Sequence, residues 1–171
     1  EAEPEALAEF QTQVTERMLR WAGLTAPESY QAHSSQLMLG VLQYDRGLFV
    51  EASHVFQLYI ERHPHTLLTG IAALNLAKCF LQNHQYDEAE QALLRSIDHS
   101  HSTLDTQVAA YMYLGRLRME RGHIPEALSS LKVATARSRG HRSEPDIALL
   151  LASAYLLADN PSGTNSVLVQ R

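Results

Sequence analysis

The sequence predicts an all-α fold, a solenoid of four stacked helical hairpins preceded by a single N-terminal helix. Apolar residues recur at steps of three and four along most of the chain, which is the spacing of one helix face. The same residue pattern returns at intervals of 37, 38 and 37 residues, and turn-forming residues divide each unit into two halves. Repetition at a fixed period indicates an architecture in which each unit packs against its neighbours.

Length and charge limit the classes of function. The 171 residues are enough for one domain with a complete core, and 45% of them are hydrophobic. The net charge is −5, and no run of lysine or arginine is long enough to follow a phosphate backbone. The longest apolar run, 147–158, is shorter than the roughly 20 residues that span a bilayer. We therefore predict no nucleic-acid binding and no membrane insertion, and we expect a cytoplasmic protein, with a processed or secreted form as the alternative.

Residues 1–26 are predicted to hold the N-terminal helix. Its helical part, 5–21, places five large apolar residues on one stripe and ends near Gly23. The stripe consists of Leu7, Phe10, Val14, Met18 and Trp21. Two interpretations stay open, a helix that caps the open end of the following domain and a helix that mediates self-association.

Residues 27–171 are predicted to form the repeat domain, with units at about 33–64, 70–101, 108–139 and 145–171, the last one truncated. In each first helix a leucine precedes a small residue: Leu39-Gly40, Leu76-Ala77, Leu114-Gly115 and Leu151-Ala152. In the second helices Ala52 recurs as Ala89, Ala127 and Thr164, and Phe56 recurs as Leu93, Leu131 and Leu168. Glycine inside a helix costs about 1 kcal/mol relative to alanine, so we expect a backbone of the second helix to pass close to Gly40.

Turn residues stand between the two helices of every unit. They are Asp45-Arg46-Gly47, Asn83-His84, Arg121-Gly122 and Asp159-Asn160. Glycine and asparagine favour the conformations that end a helix, so each hairpin is predicted to turn at these positions.

This pattern resembles the tetratricopeptide repeat. The shared features are the leucine-small pair, an alanine twelve residues after Gly40, a large residue four positions later and a closing proline, Pro64. The consensus period is about 34 residues, so the units here are slightly longer. Gln36 and Gln43 also replace the usual aromatic residues. The resemblance covers about 28–171 and implies a right-handed solenoid whose concave side is lined by the first helix of each hairpin.

The resemblance also implies which residues form a partner-binding groove on the concave side. By register they are Leu37, Val41, Tyr44, Ile71, Leu74, Lys78, Leu81, Met112, Arg116, Met119, Leu149, Ser153 and Leu156. This wall is mostly apolar, with two cations, Lys78 and Arg116, at the same position of adjacent repeats. Such a groove suits a helical or extended apolar segment that carries an acidic group. The alternative is that the N-terminal helix or a second copy of the chain covers it.

Many repeats of this family bind the free carboxylate tail of heat-shock chaperones through a clamp of lysines and asparagines. Leu37 and Val41 stand where the first lysine and asparagine of that clamp are expected, and Ala109 and Tyr113 stand where its third-repeat cations are expected. Asn75 alone matches. We therefore expect an apolar ligand and no charge-bound carboxylate tail.

Nine histidines raise the possibility of a metal site. His63, His65, His99, His101 and His141 fall in corresponding loops between repeats. Zinc sites usually add cysteine or carboxylate ligands at compact spacing, which these loops lack, so we predict no metal and no cofactor.

Catalytic chemistry has little support in the sequence. The single cysteine, Cys79, lies among apolar residues and is predicted to be a small buried hydrophobe. No glycine-rich phosphate loop is present, and the acidic cluster beginning at Asp87 opens a helix, where carboxylates are favoured by the helix dipole. We predict that the protein is not an enzyme.

The preferred hypothesis is a non-catalytic scaffold or adaptor module that binds an apolar or amphipathic segment of a partner within a multiprotein assembly. The alternative is a small chaperone that holds secreted or assembling subunits, of the kind found in export systems. A homodimer is compatible with either hypothesis.

Overall fold

The structure is a computed structural model that describes residues 9, 12–21, 30–140 and 143–159. This part of the chain consists of helices and turns and contains no β-strand. Residues 12–21 are helical and are labelled α1. The other helices are α2 (Tyr30–Asp45), α3 (Phe49–Arg62), α4 (Thr69–Gln82), α5 (Tyr86–Asp98), α6 (Leu104–Glu120), α7 (Ile124–Arg137) and α8 (Glu144–Asp159).

The helices pack in chain order as a solenoid. From α2 onward each helix contacts the next, which gives the hairpins α2/α3, α4/α5 and α6/α7, with α8 as the first helix of a fourth unit. The first helices also contact one another, α2 with α4, α4 with α6 and α6 with α8, so they form a continuous layer. The predicted all-α solenoid is confirmed. The predicted second helix of the fourth unit, with Thr164 and Leu168, lies outside the described residues, as do Leu7, Phe10 and the boundary at residue 26.

All three complete hairpins use the same turn. Gly47 and Gly122 have φ angles of 76° and 75°, and His84 holds the equivalent position in the second hairpin with a φ of 57°. The Gly47 N–H donates to the Tyr44 carbonyl at 2.9 Å, and equivalent bonds form at His84 and Gly122. These bonds satisfy carbonyls that the end of a helix leaves without partners. The turn positions predicted from the sequence are therefore confirmed.

The small residues of the first helices allow close packing of the second. A Cβ atom on Gly40 would lie 2.7 Å from the ring of Phe56, and one on Gly115 would lie 2.5 Å from Cγ of Leu131. The prediction of the second helix as the partner was correct. The prediction of a neighbouring backbone was wrong, because large side chains four residues beyond the recurring alanines fill the space above each glycine.

Cys79 lies in the main core, which runs from α2 to α6 without interruption. Its side chain has no exposed surface, and burial raises the pKa of its thiol to about 12. A protonated, inaccessible thiol is a poor nucleophile. Cys79 is the buried small hydrophobe that the sequence predicted.

An ion-pair network joins the second and third hairpins. Arg118 of α6 donates to Glu90 of α5 at 2.8 Å and to Ser130 of α7 at 2.9 Å. Arg121 pairs with Asp87 at 2.8 Å. Because Arg118 and Glu90 are only about one-fifth exposed, water screens their attraction less than it would at an open surface. The acidic cluster at the start of α5 thus connects one repeat to the next.

Candidate binding groove

Four helices, α2, α4, α6 and α8, supply the predicted groove. Because each contacts the next first helix in the series, their outward-facing residues line up across the repeats. Most of the predicted residues are at least partly accessible: Val41, Tyr44, Ile71, Lys78, Leu81, Met112, Arg116, Met119, Leu149, Ser153 and Leu156.

Leu37 and Leu74 do not line an open surface. Their side chains are 6% and 7% exposed and belong to the main core, whereas Leu149, at the same register in α8, is 68% exposed. The reason is the contact between neighbouring first helices, which encloses this column in the first two repeats. Toward α8 fewer helices surround it, and the column opens. The prediction that Leu37 and Leu74 belong to the groove wall is therefore corrected.

The most defined concavity along this wall lies between α6 and α8. It is an open pocket of about 290 Å³. Its lining consists of Met112, Tyr113, Arg116, Asp146, Leu149 and Leu150. Three flexible apolar side chains share the pocket with one cation, one anion and one phenol. Such a lining can receive an apolar side chain while polar groups at the rim fix its orientation.

Lys78 is held by its own surroundings and is not a freely solvated cation. Its ammonium donates to Asn75 Oδ1 at 3.2 Å and lies 5.5 Å from the centre of the Tyr113 ring. Burial lowers the pKa of Lys78, although the nearby Cys79 and Asp45 act in the opposite direction. Lys78 is thus an incompletely solvated ammonium on the inner wall, in the same column as Arg116.

Arg116 is the more accessible of the two cations. Its guanidinium pairs with Glu120 one turn further along α6, at 3.1 Å, and the two side chains are 62% and 41% exposed. Exposed pairs of this spacing contribute about 0.3–0.5 kcal/mol. A carboxylate on a ligand can therefore replace Glu120 at little cost.

Tyr113 is the groove residue that sequence reasoning missed. It lines the pocket, receives the Lys78 ammonium over its ring and is half-buried. Burial raises the pKa of its phenol, the neighbouring Tyr44 raises it further, and Arg116 lowers it. A signal was present in the sequence, because Tyr113 occupies a position that holds a clamp cation in related repeats.

The histidine-rich loops pack against each other without forming a metal site. His99 Nε2 donates to the Pro64 carbonyl at 3.0 Å, while its Nδ1 accepts from the His101 backbone N–H at 3.3 Å. Both ring nitrogens of His99 are therefore occupied. Across 12–21, 30–140 and 143–159, no three side chains of the ligand-forming types are grouped closely enough for a metal ion. His141 lies outside these residues.

Comparison with known proteins agrees with the geometry. A family model described as tetratricopeptide repeat matches residues 37–102, the stretch that contains the first two hairpins and the Gly40–Phe56 contact. These residues are tetratricopeptide repeats. No curated protein matches the chain. Tetratricopeptide repeats generally mediate interactions between proteins.

Two solved structures extend the likeness beyond the matched stretch. They are the putative kinesin light chain nearly identical TPR-like repeats of Podosopora anserina and a singly substituted form of the same repeats. The TM-scores are 0.69 and 0.70, each at 18% identity, with 98% of this chain and 86% of the other covered. This similarity establishes the fold. In the part of the chain that the structure describes, no helix combines the length and apolar character needed to cross a membrane.

Proposed function

We propose that the protein is a non-catalytic interaction module that holds an amphipathic segment of a partner protein against its inner wall. The pocket between α6 and α8 carries this proposal, because it is the place where accessible apolar side chains and charged groups converge. An apolar side chain of the segment enters between Met112 and Leu149. The exposed wall beyond it, including Leu156, binds further apolar residues of the segment.

Charge sets the direction in which the segment lies. Lys78 and Arg116 occupy the α4 and α6 side of the wall, whereas Asp146 lies on the α8 side of the pocket. An acidic group of the segment is favoured beside the two cations and disfavoured beside Asp146. A carboxylate near Lys78 also stabilises an ammonium that burial has partly stripped of water. The proposed ligand is therefore apolar at its anchor and acidic toward α4.

The test uses the complete chain and a panel of synthetic amphipathic peptides with a leucine or phenylalanine anchor. Members of each pair differ only in carrying glutamate or lysine at the position expected beside Arg116. We expect the glutamate peptides to bind more tightly, by about tenfold or 1.4 kcal/mol. Arg116→Glu is expected to reverse this order. Fluorescence anisotropy gives the dissociation constants.

Leu149→Glu is the variant that examines the pocket itself. Leu149 is exposed, so a charge there leaves the core intact, and we expect peptide binding to fall by at least about tenfold. Leu67→Glu, at an exposed leucine in the loop between α3 and α4, is the matched control. Equal binding by wild type and Leu149→Glu contradicts the proposal. Similar affinity for every apolar peptide, whatever its charge, favours the client-holding chaperone over the adaptor.

A further inference from the structure

The open face of α8 lacks the helix that covers the same face in the other repeats. Phe56 packs over Gly40, and Leu131 packs over Gly115. Ala152 stands at the equivalent position of α8 and is exposed. Only Ile147 and Ala154 of this helix are buried, so α8 is attached to the solenoid by one side. The uncovered side has a small-residue seam at Ala148 and Ala152, bordered by Tyr155 and by Leu156, which is 71% exposed.

A second uncovered apolar surface lies on α1, in the predicted apolar stripe. Val14, Met18 and Trp21 follow one another at steps of four and three and are all exposed, Met18 and Trp21 by 67% and 68%. The opposite side of α1 is tied to the end of α2, where Glu16 receives a hydrogen bond from Arg46 at 2.7 Å. The stripe therefore faces away from this contact and is free to meet another molecule.

The two surfaces complement each other in shape. A large side chain over a small one is the packing that joins the helices within the hairpins, as at Gly40 and Gly115. The α1 stripe supplies large side chains at helical spacing, and α8 supplies the small seam that receives them. Neither surface is equally suited to a copy of itself, because one lacks small residues and the other presents a groove without a ridge.

Charge favours the same pairing. From 144 to 159, α8 carries three carboxylates, Glu144, Asp146 and Asp159, and no lysine or arginine. From 12 to 21, α1 carries Arg17 and Arg20, while its one glutamate is engaged by the α2 arginine. Two α8 faces would bring carboxylates together, whereas α1 against α8 brings opposite charges together.

We propose that α1 of one copy of the chain packs on the open face of α8 of a second copy, so that molecules join head to tail. Such an interface uses two different surfaces, so each molecule keeps one free surface of each kind after a contact forms. The assembly grows with concentration into open chains or closes into a ring. This arrangement gives the N-terminal helix the self-association role and covers α8 in the manner of a second helix.

Sedimentation velocity of the complete chain over a concentration series provides the first measurement. We expect the average mass to rise above that of one chain, and to rise less at high salt because the paired charges are screened. Trp21 is the single tryptophan, so its fluorescence is a second measurement, and its emission is expected to shift to shorter wavelength as α1 becomes covered. A chain that stays monomeric at every soluble concentration overturns the proposal.

Two single variants separate head-to-tail contact from other arrangements. Met18→Glu disables α1 and leaves α8 intact, and Leu156→Glu does the opposite. Both positions are exposed, so folding, checked by circular dichroism, is expected to be unchanged. Each variant alone should be monomeric, while an equimolar mixture should form a dimer and nothing larger. Trp21→Glu and Ala152→Glu serve as a second pair, and Leu67→Glu is the control that keeps wild-type association.

The mixture is the decisive experiment. Self-association of either variant at the wild-type level shows that like surfaces meet, which contradicts the proposal. A mixture that remains monomeric also contradicts it, because an intact α1 and an intact α8 are then both present and do not bind.

Discussion

The third hairpin and α8 carry the same residue pattern in different environments. Gly115 of α6 lies beneath Leu131, whereas Ala152, its counterpart in α8, is exposed. Leu74 of α4 is buried, and Leu149 of α8 is not. The register determines the direction of each side chain, and the number of neighbouring helices determines whether that side chain leaves water. Interior repeats and the end of the solenoid should therefore respond differently to the same substitution.

The largest expected difference concerns thiol reactivity. In the native chain Cys79 reacts with a thiol reagent only when the core opens, because it has no exposed surface. We compare it with the variant Cys79→Ala/Ala152→Cys, measured at concentrations where the chain is monomeric. The thiol at position 152 is expected to react at least about 10³-fold faster than Cys79. Similar rates would show that the interior opens as readily as the end.

The raised pKa of Cys79 also predicts a dependence of stability on pH. Because the thiol pKa rises from 9.0 to about 12 on folding, the unfolded chain loses this proton first as the pH increases. The stabilisation is complete below about pH 9 and is lost as the pH rises toward about 12. Lys78, whose pKa is lowered, acts in the opposite sense. The difference between wild type and Cys79→Ala in urea unfolding isolates the thiol contribution.

An intermediate effect is expected from adding volume at equivalent positions. Gly115→Leu places a side chain where even a Cβ atom would overlap Leu131, and overpacking of this kind costs about 1–3 kcal/mol. Ala152→Leu adds its volume to an exposed surface and should change the free energy of unfolding by less than about 0.5 kcal/mol. Chemical denaturation of both variants measures the contrast. Equal losses would mean that Ala152 is already covered in the molecule.

The smallest effect concerns the hairpin turns. His84 adopts the left-handed conformation that glycine holds in the other two hairpins, and this conformation costs an ordinary residue about 1–2 kcal/mol. His84→Gly removes that strain but makes the unfolded chain more flexible and loses a hydrogen bond to Tyr86. We expect a net stabilisation of up to about 1 kcal/mol. Gly47→His, the reverse exchange, should destabilise by about 1–2 kcal/mol in the same unfolding assay.

The fold was predictable because its determinants are local or strictly periodic. The contact of Gly40 with Phe56 follows from a small residue and a large one at fixed positions of a hairpin. The turns at Gly47 and Gly122 follow from residue type. These features depend on pairs of positions that recur with the repeat, so four copies of the pattern were sufficient to identify them.

The groove was less predictable because it depends on the rotation between successive hairpins. That rotation decides that Leu37 and Leu74 are enclosed while Leu149 is open, and no single repeat contains this information. Lys78 and Tyr113 come from different helices, so their contact cannot be inferred from the spacing within either one. Sequence reasoning identified the correct wall, and the packing of neighbouring helices determined which of its residues face outward.

The contacts between first helices have a mechanical consequence. Among the described residues, α2, α4, α6 and α8 touch in series, while α3, α5 and α7 lack comparably extensive contacts with one another. The convex edges can spread or close by small rotations about the inner layer, as leaves of a book move about its spine. The distance from Lys78 to Arg116 along that spine then stays nearly constant while the curvature of the whole molecule adapts to what it holds.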